Sequence, residues 1–137
     1  MGLRRALAAA ALLWLAGPAF ARPLDGTAWK LRVDQKGLPN GFWSSDLLVF
    51  DQGLFAAVEA LAAGFAPKPY ESRAEPGRTR WWSSQAGPGG QTLVWSGVLE
   101  GRRMSGVMRL ESEDAPPWEL RWTAVPRPRP AAVPGFR

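Results

Sequence analysis

From Pro23 onward the chain consists of short runs in which apolar and polar residues alternate, broken by glycine, proline, asparagine and aspartate. A period of two places successive side chains on opposite faces of a strand, so the pattern predicts antiparallel β-structure with one buried face. Trp29, Leu31 and Val33 alternate with Lys30 and Arg32, and a loop follows at residues 37–41. Residues 46–50 predict a second strand, with Asp51-Gln52-Gly53 as a three-residue hairpin turn that puts glycine where φ > 0 is needed. Residues 70–75 and 79–84 flank a Pro76-Gly77 turn, and residues 92–99 and 102–110 flank Glu100-Gly101. Trp118, Leu120 and Trp122 alternate with Glu119, Arg121 and Thr123 in the cleanest strand of the chain.

The segment 54–65 fits two elements. Its five alanines favour helix, and Gly64 suits the position just past a helix end. Its place directly after a hairpin turn favours strand, so the expectation is a strand at 54–57 and one short helix near residues 58–64. The fold class that follows is all-β: about eight strands in an antiparallel meander, the number at which a sheet closes into a small barrel.

The beginning of the chain obeys another pattern. Arg4 and Arg5 precede an apolar run at residues 6–16, Gly17-Pro18 breaks it, and Ala19-Phe20-Ala21 offers small residues to a peptidase. These are the parts of a secretory signal cleaved after Ala21, and the run is shorter than the roughly 20 residues of a membrane span. The expected organisation is a cleaved signal at 1–21, a single β-barrel domain at 22–125 and a Pro/Arg-rich disordered tail at 126–137. The tail reads Pro-Arg-Pro-Arg-Pro from Pro126, which predicts an extended end and also suits a polyproline ligand. The expected location is periplasmic or secreted, with no membrane span after cleavage. With no cysteine, the chain has neither a lipid-anchor site nor disulfides, and its stability rests on the core.

Charge narrows the partners. The pI of 10.7 suggests nucleic acid, but removing Arg4 and Arg5 from the 17 Lys and Arg leaves 15 against 12 acidic residues. Arg22, Arg127, Arg129 and Arg137 stand at the ends of the mature chain, so 11 basic face 12 acidic groups in its body. A phosphate-binding face needs clustered positive charge, so no nucleic-acid partner is expected.

Tryptophan is the strongest chemical feature. Trp29, Trp43, Trp81, Trp82, Trp95, Trp118 and Trp122 all follow the signal. Aromatic walls hold apolar or planar ligands, which makes Trp29, Trp95, Trp118 and Trp122 candidate ligand-binding residues. The alternative is that a small barrel fills its interior with bulk. Neighbours on a strand face opposite ways, so one of Trp81 and Trp82 points outward. An outward Trp82 shares its face with Arg78 and Arg80; it is shielded by cation–π stacking or, with Arg80, forms an interface.

Catalysis finds little footing. Without histidine or cysteine no Ser-His triad or Cys-His pair can be assembled. Ser105-Gly106 lacks the upstream glycine of a nucleophile elbow, and no motif supports a Ser-Lys pair through Lys30, Lys36 or Lys68. Glu111, Glu113 and Asp114 read as a solvated acidic loop before Pro116-Pro117, without the turn of a dedicated Ca²⁺ site. No catalytic residue, metal site or cofactor is expected.

The order of the parts resembles a family. Residues 24–30, Leu-Asp-Gly-Thr-Ala-Trp-Lys, are similar to the Gly-x-Trp opening of lipocalin-like, calycin-type barrels, with one extra residue between Gly26 and Trp29. Asp51-Gln52-Gly53, Gly64-Phe65, Pro69-Tyr70, Trp95-Ser96-Gly97 and the glycines from Gly101 to Gly106 resemble small exported bacterial proteins of that kind. The resemblance spans about residues 24–125 and implies a lipocalin-like barrel. The expected function is an exported, non-catalytic barrel binding a small apolar or aromatic ligand. The alternative is a protein-interaction or inhibitor domain using Trp82 and the Pro-Arg tail, and a hydrolase is more remote.

Overall fold

The computed structural model describes residues 24–33 and 44–133. The expected signal at 1–21, the expected loop at 37–41 and Trp43 lie outside the described residues. Eight strands follow in order: β1 (Thr27–Arg32), β2 (Ser45–Asp51), β3 (Leu54–Ala57), β4 (Lys68–Glu75), β5 (Arg78–Ala86), β6 (Thr92–Glu100), β7 (Arg103–Ser112) and β8 (Ala115–Arg127). A short helix, α1 (Val58–Ala62), follows β3, and a 3₁₀ turn at Pro88–Gly90 joins β5 to β6. Each strand pairs antiparallel with the next and β8 returns to β1, which closes the barrel. The eight-stranded meander and the helix after β3 match the alternation and the alanine cluster that predicted them.

Several boundaries differ from the expectation, three of them with a clear physical reason. Asp51 pairs with Leu54, so the β2–β3 turn has two residues, Gln52 and Gly53, at φ 50° and 76°. Two positive φ values give a turn whose twist matches the strands it joins. Glu111 pairs with Thr92 inside β7, leaving Glu113 and Asp114 as the turn. β8 runs past Val125, with Pro126 opposite Trp29 and Arg127 opposite Ala28. A proline removes one donor, and an antiparallel ladder directs only alternate N–H groups at a given neighbour, so β8 tolerates Pro126 at this point.

Parity decides the interior. Trp29 and Leu31, Leu48 and Phe50, Phe55 and Ala57, Trp81, Leu93 and Trp95, Met104 and Met108, and Leu120, Trp122 and Ala124 form one core. Their intervening neighbours face away from the lumen. At one end of the barrel α1, Phe65 and Gln85 pack against the core. The Gln85 side chain is wholly buried; its Nε2 donates to the Ala66 carbonyl (3.0 Å) and its Oε1 accepts from Trp95 Nε1 (2.9 Å). Gly64, at φ 97°, turns the chain off α1, and the Phe65 ring lies against Gly87 so closely that a Cβ there would sit 2.3 Å from it.

At the opposite end Asp25 ties three segments together. Its carboxylate accepts the Gly53 N–H (3.0 and 3.1 Å) and the Tyr70 hydroxyl (2.6 Å). Gly26, at φ 84°, brings its own N–H to the Phe50 carbonyl at 2.8 Å. The opening residues, the β2–β3 turn and Pro69-Tyr70 are thus one contact.

Candidate functional site

Six aromatic rings meet in the middle of the lumen. Phe50 meets Phe55, Tyr70 and Trp81 at centroid distances of 5.1, 5.0 and 4.8 Å. Phe55 meets Trp81 and Trp95 at 4.9 and 5.4 Å, and Trp122 meets Trp81 and Trp95 at 6.0 and 6.2 Å. Edge and tilted contacts at these distances contribute about 0.5–1.5 kcal/mol each beyond burial. Two glycines make room for the indoles. Gly97 and Gly106 oppose one another across β6 and β7. A Cβ on Gly97 would lie 2.3 Å from Trp81 Nε1, and one on Gly106 would lie 2.6 Å from Trp122 and 2.0 Å from the Ser96 carbonyl oxygen. The Trp-Ser-Gly strand and the glycine-bearing hairpin are therefore packing requirements of Trp81 and Trp122.

The candidate ligand residues do not converge. Trp95 and Trp122 face inward and meet edge to face in the lumen at 6.2 Å. Trp29 is buried near the Asp25 end, where its Nε1 donates to Thr27 Oγ1 at 2.9 Å. Trp118 is half-buried. Trp29 pairs with Pro126, eight residues along β8 from Trp118, a separation of about 26 Å at strand rise. Two indole donors in the lumen, Trp81 Nε1 and Trp122 Nε1, are buried without an acceptor.

Asp46 is a second buried polar group. It opposes Leu31, faces the lumen and is 2% exposed. Its Oδ1 accepts the N–H groups of Leu47 (2.7 Å) and Glu59 (2.9 Å), so it caps α1 from a neighbouring strand, while Oδ2 has no partner. Burial pushes its pKa up to about 6 against the pull of those N–H groups. The alternation Asp46, Leu48, Phe50 placed it inward, which was the available signal.

The outer wall carries the candidate interface. Trp81 is buried and Trp82, its neighbour, is 42% exposed, as alternate facing requires. Trp82, Arg80, Ser96, Val98 and Val107 line a groove of about 450 Å³ that also borders the Gly97–Gly106 pair. Trp82, Ser96, Val107 and Arg121 lie in one cross-strand row over β5 to β8. The two arginines that share the Trp82 face form ion pairs with Glu75. Arg80 Nε and Arg78 Nε each donate to Glu75 Oε1 at 2.8 Å, which holds the Glu75 carboxyl below its ordinary range. Both guanidinium groups are engaged by charge-assisted bonds, and Trp82 is 42% exposed.

Among the described residues no cluster of three or more His, Cys, Asp or Glu is placed to hold a metal ion, and no helix is long and apolar enough to cross a membrane. The fold is an eight-stranded closed antiparallel β-barrel, compatible with a lipocalin-like barrel. No family model matches the chain, and no curated protein or solved structure matches it.

Proposed function

We propose that this chain is an exported, non-catalytic barrel of lipocalin-like type that binds a protein partner through the outer wall of β5 to β7. Trp82 is the anchor in this reading and Arg80 its polar neighbour. The supporting observation is a contrast: the lumen is occupied by rings in mutual contact, whereas Trp82 stands 42% exposed beside an apolar groove. Tryptophan and arginine are the residues most enriched at interface hot spots, where an aromatic side chain is desolvated by its partner. The complementary partner presents an apolar side chain to Val98 and Val107 and a carboxylate to Arg121, which shares the Trp82 row. Export rests on the three-part signal at residues 1–21.

The test compares the protein and its Trp82→Ser variant, each immobilised and exposed to the exported proteins of the producing cell. The expected result is a partner retained by the first and bound at least tenfold more weakly by the second. Equal retention refutes the reading. A small ligand in the lumen is the second reading, favoured by the two unpaired indole donors, which cost about 1–3 kcal/mol each when left unsatisfied. A saturable fluorescence change with fatty acids or planar aromatic compounds, unaffected by Trp82→Ser, selects that reading.

A further inference from the structure

Three outward-facing positions are buried where a barrel wall ordinarily meets solvent. Ala28 on β1 opposes Val49 on β2, and Val49 opposes Ala56 on β3. All three alternate with residues of the core, so their side chains point away from the lumen. Their exposures are 2, 1 and 0%, against 42% for Val125 and Trp82 on the same outer surface. Leu47 and Leu54, also outward, are half-buried. Some segment therefore lies on this apolar face.

The end of β8 lies beside it. Arg127 is opposite Ala28 at the close of β8, and two residues later the Arg129 guanidinium binds the Asp51 carboxylate. Asp51 is two residues from Val49 on the same outward face of β2. The Arg129 side chain thus reaches past the start of β1 to the end of β2. Beyond it Pro130 and Val133 are half-buried while Ala131 and Ala132 are exposed, although all four lie past the last strand. Pro126, Pro128 and Pro130 fix an extended backbone with few N–H donors, which suits a segment lying on a sheet without joining its ladder. From Ala28 to Ala56 is two strand spacings, about 10 Å. The four steps from Arg129 to Val133 reach about 13 Å when extended, a length comparable with the width of that patch.

We infer that residues 128–133 form an intramolecular strap across the outer wall of β1 to β3, pinned by Arg129 to Asp51 and covering Ala28, Val49 and Ala56. The strap makes the Pro-Arg segment part of the fold. Its release bares an apolar patch on the wall remote from the Trp82 groove, so the inference stands independently of the proposed function.

Because the chain has no cysteine, one introduced thiol reports on this cover. Ala56→Cys is labelled with a maleimide in the full chain and in the same chain ending at Arg127, with Thr123→Cys as the exposed control. The strap requires slow labelling at position 56 in the full chain and at least tenfold faster labelling in the shortened one, with the control fast in both. Equal rates at position 56 overturn the inference: equally slow rates mean another segment provides the cover, and equally fast rates mean the patch is bare. If the shortened chain loses its near-UV circular dichroism, Arg129→Ser in the full chain decides. A severalfold faster rate at position 56 supports the strap, and an unchanged rate overturns it.

Discussion

Replacing Asp46 by asparagine should make the protein more stable at neutral pH, and the gain should disappear in acid. The carboxyl is 2% exposed, and its pKa is raised from 3.8 to about 6 by burial, with the Glu59 charge adding to the effect. A group whose pKa is higher folded than unfolded binds its proton more tightly in the native state. The folded state is therefore favoured below about pH 4, loses that advantage as pH rises towards 6, and gains or loses nothing further above it. Two units at about 1.4 kcal/mol each make the loss about 3 kcal/mol. Asparagine keeps an oxygen for the Leu47 and Glu59 N–H groups and carries no charge, so it removes the pH-dependent loss. Its amide takes the place of Oδ2, which has no partner, and that cost of about 1–3 kcal/mol is shared at every pH. The quantity to compare is the stability difference between variant and parent at pH 7.5 minus the same difference at pH 4, from urea unfolding followed by tryptophan fluorescence. It should be about +3 kcal/mol. A difference flat across that range would show that the buried site holds its charge without penalty. A negative value would show that capping of α1 by the charge outweighs desolvation.

Other substitutions probe the packing. Gly106→Ala drives a Cβ to 2.0 Å from the Ser96 carbonyl oxygen, a backbone atom that cannot rotate away, so thermal unfolding should reveal a loss of about 1–3 kcal/mol or failure to fold. Tyr70→Phe removes the hydroxyl bonded to Asp25 and should cost about 2 kcal/mol in urea, with an unchanged midpoint counting against the three-segment tie. Gln85→Leu strips Trp95 Nε1 and the Ala66 carbonyl of their partner; a loss of about 1–3 kcal/mol and a shifted tryptophan emission are expected. Trp82→Ser should change stability by no more than about 0.5 kcal/mol, because the side chain is largely exposed, so that any loss of binding is read directly.

The strands, the helix after β3 and the outward turn of Trp82 were legible because they depend on local periodicity and turn chemistry. Alternation sets which face a residue occupies, and it did so correctly for Trp81 and Trp82, and for Trp95 and Trp122. What it could not give was the distance between residues sharing the inner face. Trp29, Trp95, Trp118 and Trp122 look equivalent along the chain, yet β8 carries Trp118 and the partner of Trp29 about 26 Å apart. The Pro-Arg repeat predicted an extended end but not the two-residue extension of β8 or the Arg129–Asp51 pair, because both depend on strands far away in sequence.

The sequence by itself determined an all-β chain of about eight strands and the faces of its tryptophans, since backbone stereochemistry fixes the period of two wherever a strand forms. Only the tertiary structure decided that six aromatic rings meet inside the lumen, that Gly97 and Gly106 leave room for two indoles, and that Asp46 is buried beneath α1. Those outcomes depend on closing the sheet, which sets side chains from β2, β5, β6 and β8 against one another within a space that no single segment encodes.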